Sequence, residues 1–434
     1  MRKFLIYLAL MILSGSSLAT ELLIIHSNDF HGHISEADTY AGAARIAAYV
    51  RELRRNHPRV LFVDAGDAIT GTPVSSLFEG EPIFHIMNAM GYDVGLLGNH
   101  EFDHGAAKIA TFKDIAKFPL LGATALDADN QFISDKPFTI IEYDDLKIGI
   151  IGILTDSTPL LITPHGNQNL TFRAPADVLE ELIPDLRARV DFLIVLSHTG
   201  FEEDIALAKQ FQDIDLIIGG HSHTFNQHPV KSGRTWIVQA DHYGQHLGFV
   251  KVNFTGTKGQ YRLIGDLLAA DELPQADLKV LALVESYEEK VRDKVDLPIW
   301  ETDKDLSKEE IQPILERILA EHVNADLGFY NIGGIRDSID AGVITIRKIW
   351  NIEPFSNTLV TITLSGADYL VLLAQEPKLH HSAADINPNK RYTIATSSFI
   401  AAHAKQAFGS AIKVQERDLL IRDVLIDYIS KNGL

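Results

Sequence analysis

Short apolar runs recur along the first part of the chain, and each opens into a polar, glycine-containing loop. Leu22-Leu23-Ile24-Ile25, Val60 to Val63, Val94 to Leu97, Phe192 to Leu196 and Leu216-Ile217-Ile218 read as buried strands. Between them, 41–54 carries Ile46, Val50 and Leu53 at helical spacing, and 177–189 and 202–211 also read as helices. Residues 120–125 read as a further short strand. Phe138 to Tyr143 and Leu146 to Leu154 pair as a hairpin about Asp144-Asp145. Residues 244–252 and 260–268 read as closing strands, and 277–293 as one long helix with Val280, Leu283, Val284 and Tyr287 on one face. The pattern is strand, polar loop, helix. Taken alone it favours a doubly wound α/β sheet, whose ligands bind at the carboxyl ends of the strands.

Those ends carry the candidate chemistry. The first run leads into Asn28-Asp29-Phe30-His31-Gly32-His33, where an extended backbone would point Asp29 and His31 the same way. The second leads into Asp64-Ala65-Gly66-Asp67. There Asp67 lies past the strand end, able to bridge two cations, and Asp64 reads as a structural hydrogen-bond partner. The third leads into Gly98-Asn99-His100-Glu101-Phe102-Asp103-His104. Asn99 offers a neutral oxygen to a metal, His100 a ring nitrogen to a substrate oxygen, and Asp103 a carboxylate to orient that ring. A plain polar turn is the bland alternative for this stretch. The fourth and fifth runs end at His198 and at His221-Ser222-His223. A lone histidine after a strand is ordinarily just hydrogen-bonded. Asp29, His31, Asp67, Asn99, His198, His221 and His223 together supply mixed oxygen and nitrogen donors suited to two divalent ions sharing Asp67. Imidazoles with carboxylates favour zinc, manganese, iron or cobalt over calcium. Such a pair activates water and clamps a phosphoryl group, with His100 stabilising charge or protonating the leaving oxygen.

Composition narrows the setting. The 434 residues with 46% hydrophobic content suffice for two or three domains. A net charge of -19 argues against nucleic-acid binding as the main function, but not against small anions held by metals. The absence of cysteine removes disulfide and thiolate chemistry. Arg2 and Lys3, the apolar run Phe4 to Leu13 and the small-x-small pattern Ser17-Leu18-Ala19 read as a signal peptide at 1–19. The expected product is a periplasmic or secreted protein with no membrane attachment after cleavage; a retained anchor is the alternative.

The five loops resemble those of the calcineurin-like metallophosphoesterases. Within that group, Asn28 to His33, Gly98 to Asp103 and Gln239-Ala240-Asp241-His242-Tyr243-Gly244-Gln245-His246-Leu247-Gly248 resemble the 5'-nucleotidase family, which includes periplasmic UDP-sugar hydrolases. The resemblance implies one ion on Asp29, His31, Asp67 and His223, a second on Asp67, Asn99, His198 and His221, and His100 with Asp103 as the catalytic dyad. It also implies a four-layered α/β/β/α sandwich in place of a single doubly wound sheet.

The resemblance extends into the second half through Asn331-Ile332-Gly333-Gly334-Ile335-Arg336, Pro354-Phe355-Ser356-Asn357 and 392–400. It implies a smaller α+β substrate-recognition domain in which Phe355 and Phe399 clamp a nucleobase and Asn331, Gly333, Gly334 and Arg336 contact the rest of the ligand. Phe355 could equally be a core residue, and the two glycines could serve only a turn. Two departures bear on substrate. Residues 299–312 lack the family's arginine-containing segment, and Ala401-Ala402-His403 stands where a Gly-Gly-Asp sequence is usual.

The expected organisation is a signal peptide at 1–19, a catalytic domain at 20–269, a linker helix at 270–298 and a substrate domain at 299–434. The leading function is hydrolysis of nucleoside 5'-monophosphates or related nucleotides by a dinuclear-metal enzyme, acting on a small phosphorylated molecule as monomer or homodimer. The alternatives are a cyclic-nucleotide phosphodiesterase, a nucleotide-sugar pyrophosphatase, a thiosulfohydrolase or a non-catalytic binding protein. A nuclease is disfavoured because no basic groove is apparent.

Overall fold

A computed structural model describes residues 20–162, 165–257, 259–374, 386–409 and 412–434, so the expected signal peptide lies outside the described residues. Two sheets form the first body. One has four strands in the order Tyr261–Ala269, His246–Phe254, Thr20–Ser27 and Val60–Asp64. The other has six, with Leu146–Leu154, Phe192–His198, Leu216–Gly219 and Thr235–Val238 parallel at its centre.

The continuous apolar runs explain the layering. Successive strand residues face opposite sides, and here both sides are dry. Leu22 and Ile24 pack into the space between the sheets, while Leu23 and Ile25 pack against helices. In the second sheet Ile194, Leu196, Leu216 and Ile218 face the intersheet space, and Leu193, Val195 and Ile217 face the opposite helical layer. The result is the four-layered sandwich, with Gly42–Asn56 and Glu81–Met90 on one outer face and Pro175–Arg189 and Phe201–Gln210 on the other. The single doubly wound sheet read from the apolar pattern is therefore corrected. A run buried on both faces has the same composition whether its second face meets a helix or another sheet.

Helix Leu278–Val295 starts at Asp277, whose side chain accepts from the Lys279 and Val280 amides at 3.0 and 3.1 Å. Val280, Val284, Val291 and Val295 bury against the first body. On its outer side Glu288 meets Arg347 at 2.9 Å, tying the helix to the second body. That body has its own core around a four-stranded sheet in the order Leu327–Gly328, Arg391–Ser397, Thr358–Ser365 and Lys413–Leu420. Helices Lys308–Val323 and Ile421–Asn432 complete it. Among the described residues, no helix is long and apolar enough to cross a membrane.

Candidate active site

The parallel strands deliver their loops to one edge of the sandwich, and the loops bind one another there. Asp29 N donates to Gly66 O at 2.9 Å and His31 N to Asp67 O at 3.0 Å. Asp29, His31, Asp67, His221 and His223 all have left-handed backbones, with φ of 51°, 48°, 56°, 74° and 51°. Non-glycine residues rarely adopt this region, and such strain gathers where side chains must be aimed. The extended backbone expected for Asp29 and His31 is thereby overturned. The loop coils, and the coil rather than strand alternation brings the two side chains together.

Their donor atoms form two compact groups, Asp29–His31–His223 and Asp67–His198–His221, bridged by a third of His31, Asp67 and His100. Asp29 Oδ1 lies 3.3 Å from His223 Nε2 and 3.9 Å from His31 Nε2, and Asp67 Oδ2 lies 3.0 Å from His198 Nε2. The far ring nitrogens are already engaged. His31 Nδ1 faces Thr70 O at 2.8 Å and His198 Nδ1 faces Ala65 O at 2.8 Å, which leaves each Nε2 for a ligand. Asn99 Oδ1 is buried without a hydrogen-bond partner, and the buried His198 Nε2 points at the Asp67 carboxylate. Two buried carboxylates, four imidazoles and an unsatisfied amide oxygen fit a pair of divalent ions, and burying those groups without a compensating partner is costly. Gly98 makes the approach possible, since a Cβ there would sit 2.3 Å from Asp67 Oδ1.

His100 Nδ1 and Asp103 Oδ2 are 2.7 Å apart. Burial opposes the charged imidazolium, but Asp103 and then Asp67 outweigh it, so the His100 pKa is raised. Its ring lies against Phe355 from the second body, with centroids 5.8 Å apart. Arg336 reaches further in, with Nη2 3.0 Å from His31 Nε2. Asn331, Gly333, Gly334, Arg336, Phe355 and Phe399 line the same cavity, of about 240 Å³, as Asp67, Asn99, His100, His221 and His223. Leu161 and Ile162 close one side, from the polar 155–174 loop expected at the rim.

Several contributors carried no assignment in the sequence. Glu101 is fully buried and accepts from the amides of Gly98, Asp67 and Ala68 at 2.6, 3.0 and 2.9 Å, tying the Asp67 loop to the Asn99 loop. Burial, with repulsion from Asp67, pushes its carboxyl up to about 7. Gln239 accepts from Ser222 and Thr224 and donates to Gly220, which shapes the loop presenting His221 and His223. Tyr243 packs edge-on to His31 and His242 stacks on His223. These residues sit within or beside the motifs already noted, but only the folded chain turns them toward the donor cluster. His104 lines the cavity. His403, at the departure from the family pattern, packs its ring on Phe399 and faces the Phe399 carbonyl at 2.9 Å.

The two-sheet frame and its clustered acid, amide and imidazole donors define a metal-dependent phosphoesterase. Residues 22–225 match the calcineurin-like phosphoesterase family, and 299–384 match the 5'-nucleotidase C-terminal domain. The chain is 30% identical to the snake venom 5'-nucleotidase of Gloydius brevicauda, over 82% of this chain and 70% of that one. It is 28% identical to Protein UshA of Yersinia enterocolitica, covering 88% and 85%. A 5'-nucleotidase precursor from Thermus thermophilus superposes with a TM-score of 0.84 at 24% identity, covering 95% and 96%. The chain belongs to the 5'-nucleotidase family, and it is a metal-dependent hydrolase.

Proposed function

We propose that the chain is an exported nucleotidase that removes phosphate from nucleoside 5'-monophosphates or closely related nucleotides. One observation carries this reading: a single cavity joins the metal-ligand cluster and the His100–Asp103 pair to Phe355, Phe399 and Arg336. In this reading Asp29, His31, Asp67 and His223 hold one divalent ion and Asp67, Asn99, His198 and His221 a second; zinc, manganese, cobalt and iron all suit the donor set. When bound, the ions supply Lewis acidity to the phosphoryl oxygens and lower the pKa of water.

The chain's own groups do the rest. His100 lies on the cavity wall with Nδ1 held by Asp103, so Nε2 is free to donate to the ester oxygen as its bond to phosphorus breaks. Asp103 fixes the ring and supports the imidazolium. Arg336 contributes a fixed positive charge to the phosphate side of the cavity. Phe355 and Phe399 give flat faces for a base, worth about 1–3 kcal/mol per stacked base. Asn331, Gly333 and Gly334 line the wall between them and the ions. The chain divides functionally into a signal peptide at 1–19, a catalytic unit at 20–269, a connecting segment at 270–298 and a substrate unit at 299–434. The self-contained second core supports that division. The leader-like residues 1–19 support export to the periplasm or beyond.

Hydrolysis of AMP, UMP, UDP-glucose and 2',3'-cyclic AMP by the manganese-loaded protein tests this reading, with glycerol 2-phosphate as the small, non-aromatic reference ester. The monophosphates should be the best substrates, and Phe355→Ala should weaken them while sparing the reference ester. Equal loss on both, or no release of phosphate from the monophosphates, would refute it.

A further inference from the structure

Phe355 and Arg336 enter the cavity from two chain segments, 330–336 and 353–357, with no regular strand pairing between them. A buried polar network joins the segments from behind. Tyr330 Oη donates to Glu353 Oε1 at 2.8 Å, and Asn357 Nδ2 donates to the same oxygen at 3.1 Å. Arg422 comes from the last helix, about seventy residues further on. Its Nη1 donates to Glu353 O at 3.2 Å and to Phe355 O at 3.0 Å, and its guanidinium lies 3.8 Å above the Trp350 ring. Arg336 N donates to Ile352 O at 2.9 Å, so the arginine wall hangs from the same helix end. Gln312 Nε2 fixes the Tyr330 carbonyl at 2.6 Å.

Tyr330, Glu353 and Arg422 are buried and none of them lines the cavity. Arg422 and Glu353 are buried ionisable groups, and such groups are weak ground for stability, because desolvation offsets what their hydrogen bonds gain. What these two do achieve is placement. Two backbone carbonyls flanking Pro354 are held by one planar group, and the aromatic face at 355 is set at a fixed distance from His100. We infer that Arg422, Glu353 and Tyr330 are positioning residues that hold Phe355, and through it the nucleobase, in register with the reacting phosphate. This rests on Phe355 being the base platform. Lysine in place of Arg422 keeps the charge but loses the planar guanidinium that stacks on Trp350 and so fixes where Nη1 sits. Phenylalanine in place of Tyr330 keeps the packing and removes one donor to Glu353.

The test uses the full chain loaded with manganese, with Tyr330→Phe, Arg422→Lys, Phe355→Ala and the double variant Phe355→Ala/Arg422→Lys. Five quantities are read: KM and kcat for AMP, kcat/KM for glycerol 2-phosphate, the adenosine dissociation constant by calorimetry, and the thermal midpoint. For Arg422→Lys, the AMP KM and the adenosine constant should rise about three- to tenfold, with a smaller rise for Tyr330→Phe. The small ester should stay within about twofold of the parent, and the double variant should bind adenosine no worse than Phe355→Ala alone. If Phe355→Ala weakens adenosine but Arg422→Lys and Tyr330→Phe do not, the positioning role is overturned and the platform stands. The role is equally overturned if both esters fall together with the thermal midpoint, or if the double variant loses the product of the two single effects. If Phe355→Ala leaves AMP and adenosine unchanged, the platform reading itself fails and this inference with it.

Discussion

Replacing His100 with Asn, alone and together with Asp103→Asn, separates the two roles open to this histidine. His100 sits in a group with His31 and Asp67 whose donor atoms could hold an ion, and its Nε2 is 4.0 Å from Asp67 Oδ2. It also faces the cavity with its other nitrogen 2.7 Å from Asp103. If it acts as acid and electrostatic stabiliser, its loss should lower kcat about 10²–10⁴-fold. Asp103 would then act only through His100. A charge-assisted hydrogen bond is worth about 1.5–3 kcal/mol. At roughly 1.4 kcal/mol per tenfold in rate, Asp103→Asn should cost about ten- to a hundredfold. The double variant should lose no more than His100→Asn alone, because the carboxylate has nothing left to orient. The assay is steady-state release of phosphate from AMP, whose ribose oxygen needs a proton to leave, with metal content measured on the same preparations by mass spectrometry. Metal occupancy should match the parent in all three proteins. Loss of an ion in parallel with activity would make His100 a ligand. Multiplying losses in the double variant would show that Asp103 works independently of the ring.

The pH profile carries a sign. Asp103 and Asp67 raise His100 against the opposing effect of burial, so the protonated ring persists to higher pH than usual. A step that needs the proton fails as pH rises through that raised value. Asp103→Asn should therefore move the alkaline limb of kcat to lower pH, and an unchanged or upward-shifted limb would contradict the assignment. Asp67→Asn removes a carboxylate that belongs to two of the three donor groups and should release at least one ion, read directly as metal per chain. Gly98→Ala places a methyl group 2.3 Å from Asp67 Oδ1 and should cost metal binding more than fold, visible as lower occupancy with a nearly unchanged far-ultraviolet spectrum. Phe399→Ala should raise KM for AMP by about an order of magnitude and spare glycerol 2-phosphate, since that ester carries no aromatic ring to stack.

Much of the strand and helix pattern was legible in the chain itself. The hairpin at Phe138–Tyr143 and Leu146–Leu154 has the bounds its apolar runs and Asp144-Asp145 predict. The strand runs at 22–25, 60–63, 192–196 and 216–218 each fall inside an observed strand. The expected strand at 120–125 instead divides into Leu120–Leu121 and Ala125–Leu126, which pair with different neighbours. Short-range periodicity cannot show which partner each half will find.

The donor residues were visible because each follows a strand, and their types suit the same metals. How they meet was not visible. Left-handed backbones at Asp29, His31, Asp67, His221 and His223, rather than extended alternation, aim the side chains inward. Glu101 and Gln239 matter only because loops far apart in the chain come within hydrogen-bond distance of them. Sequence by itself determined the buried strands, the chemistry available at their ends and the resemblance that names a family. Only the tertiary structure decided that Leu22 and Ile24 face a second sheet rather than helices, and that Phe355 lies 5.8 Å from His100. The physical reason is common to both. Hydrophobicity dictates that a face be covered and donor type dictates what can be bound, but which surface does the covering, and at what distance, follows from contacts between segments hundreds of residues apart.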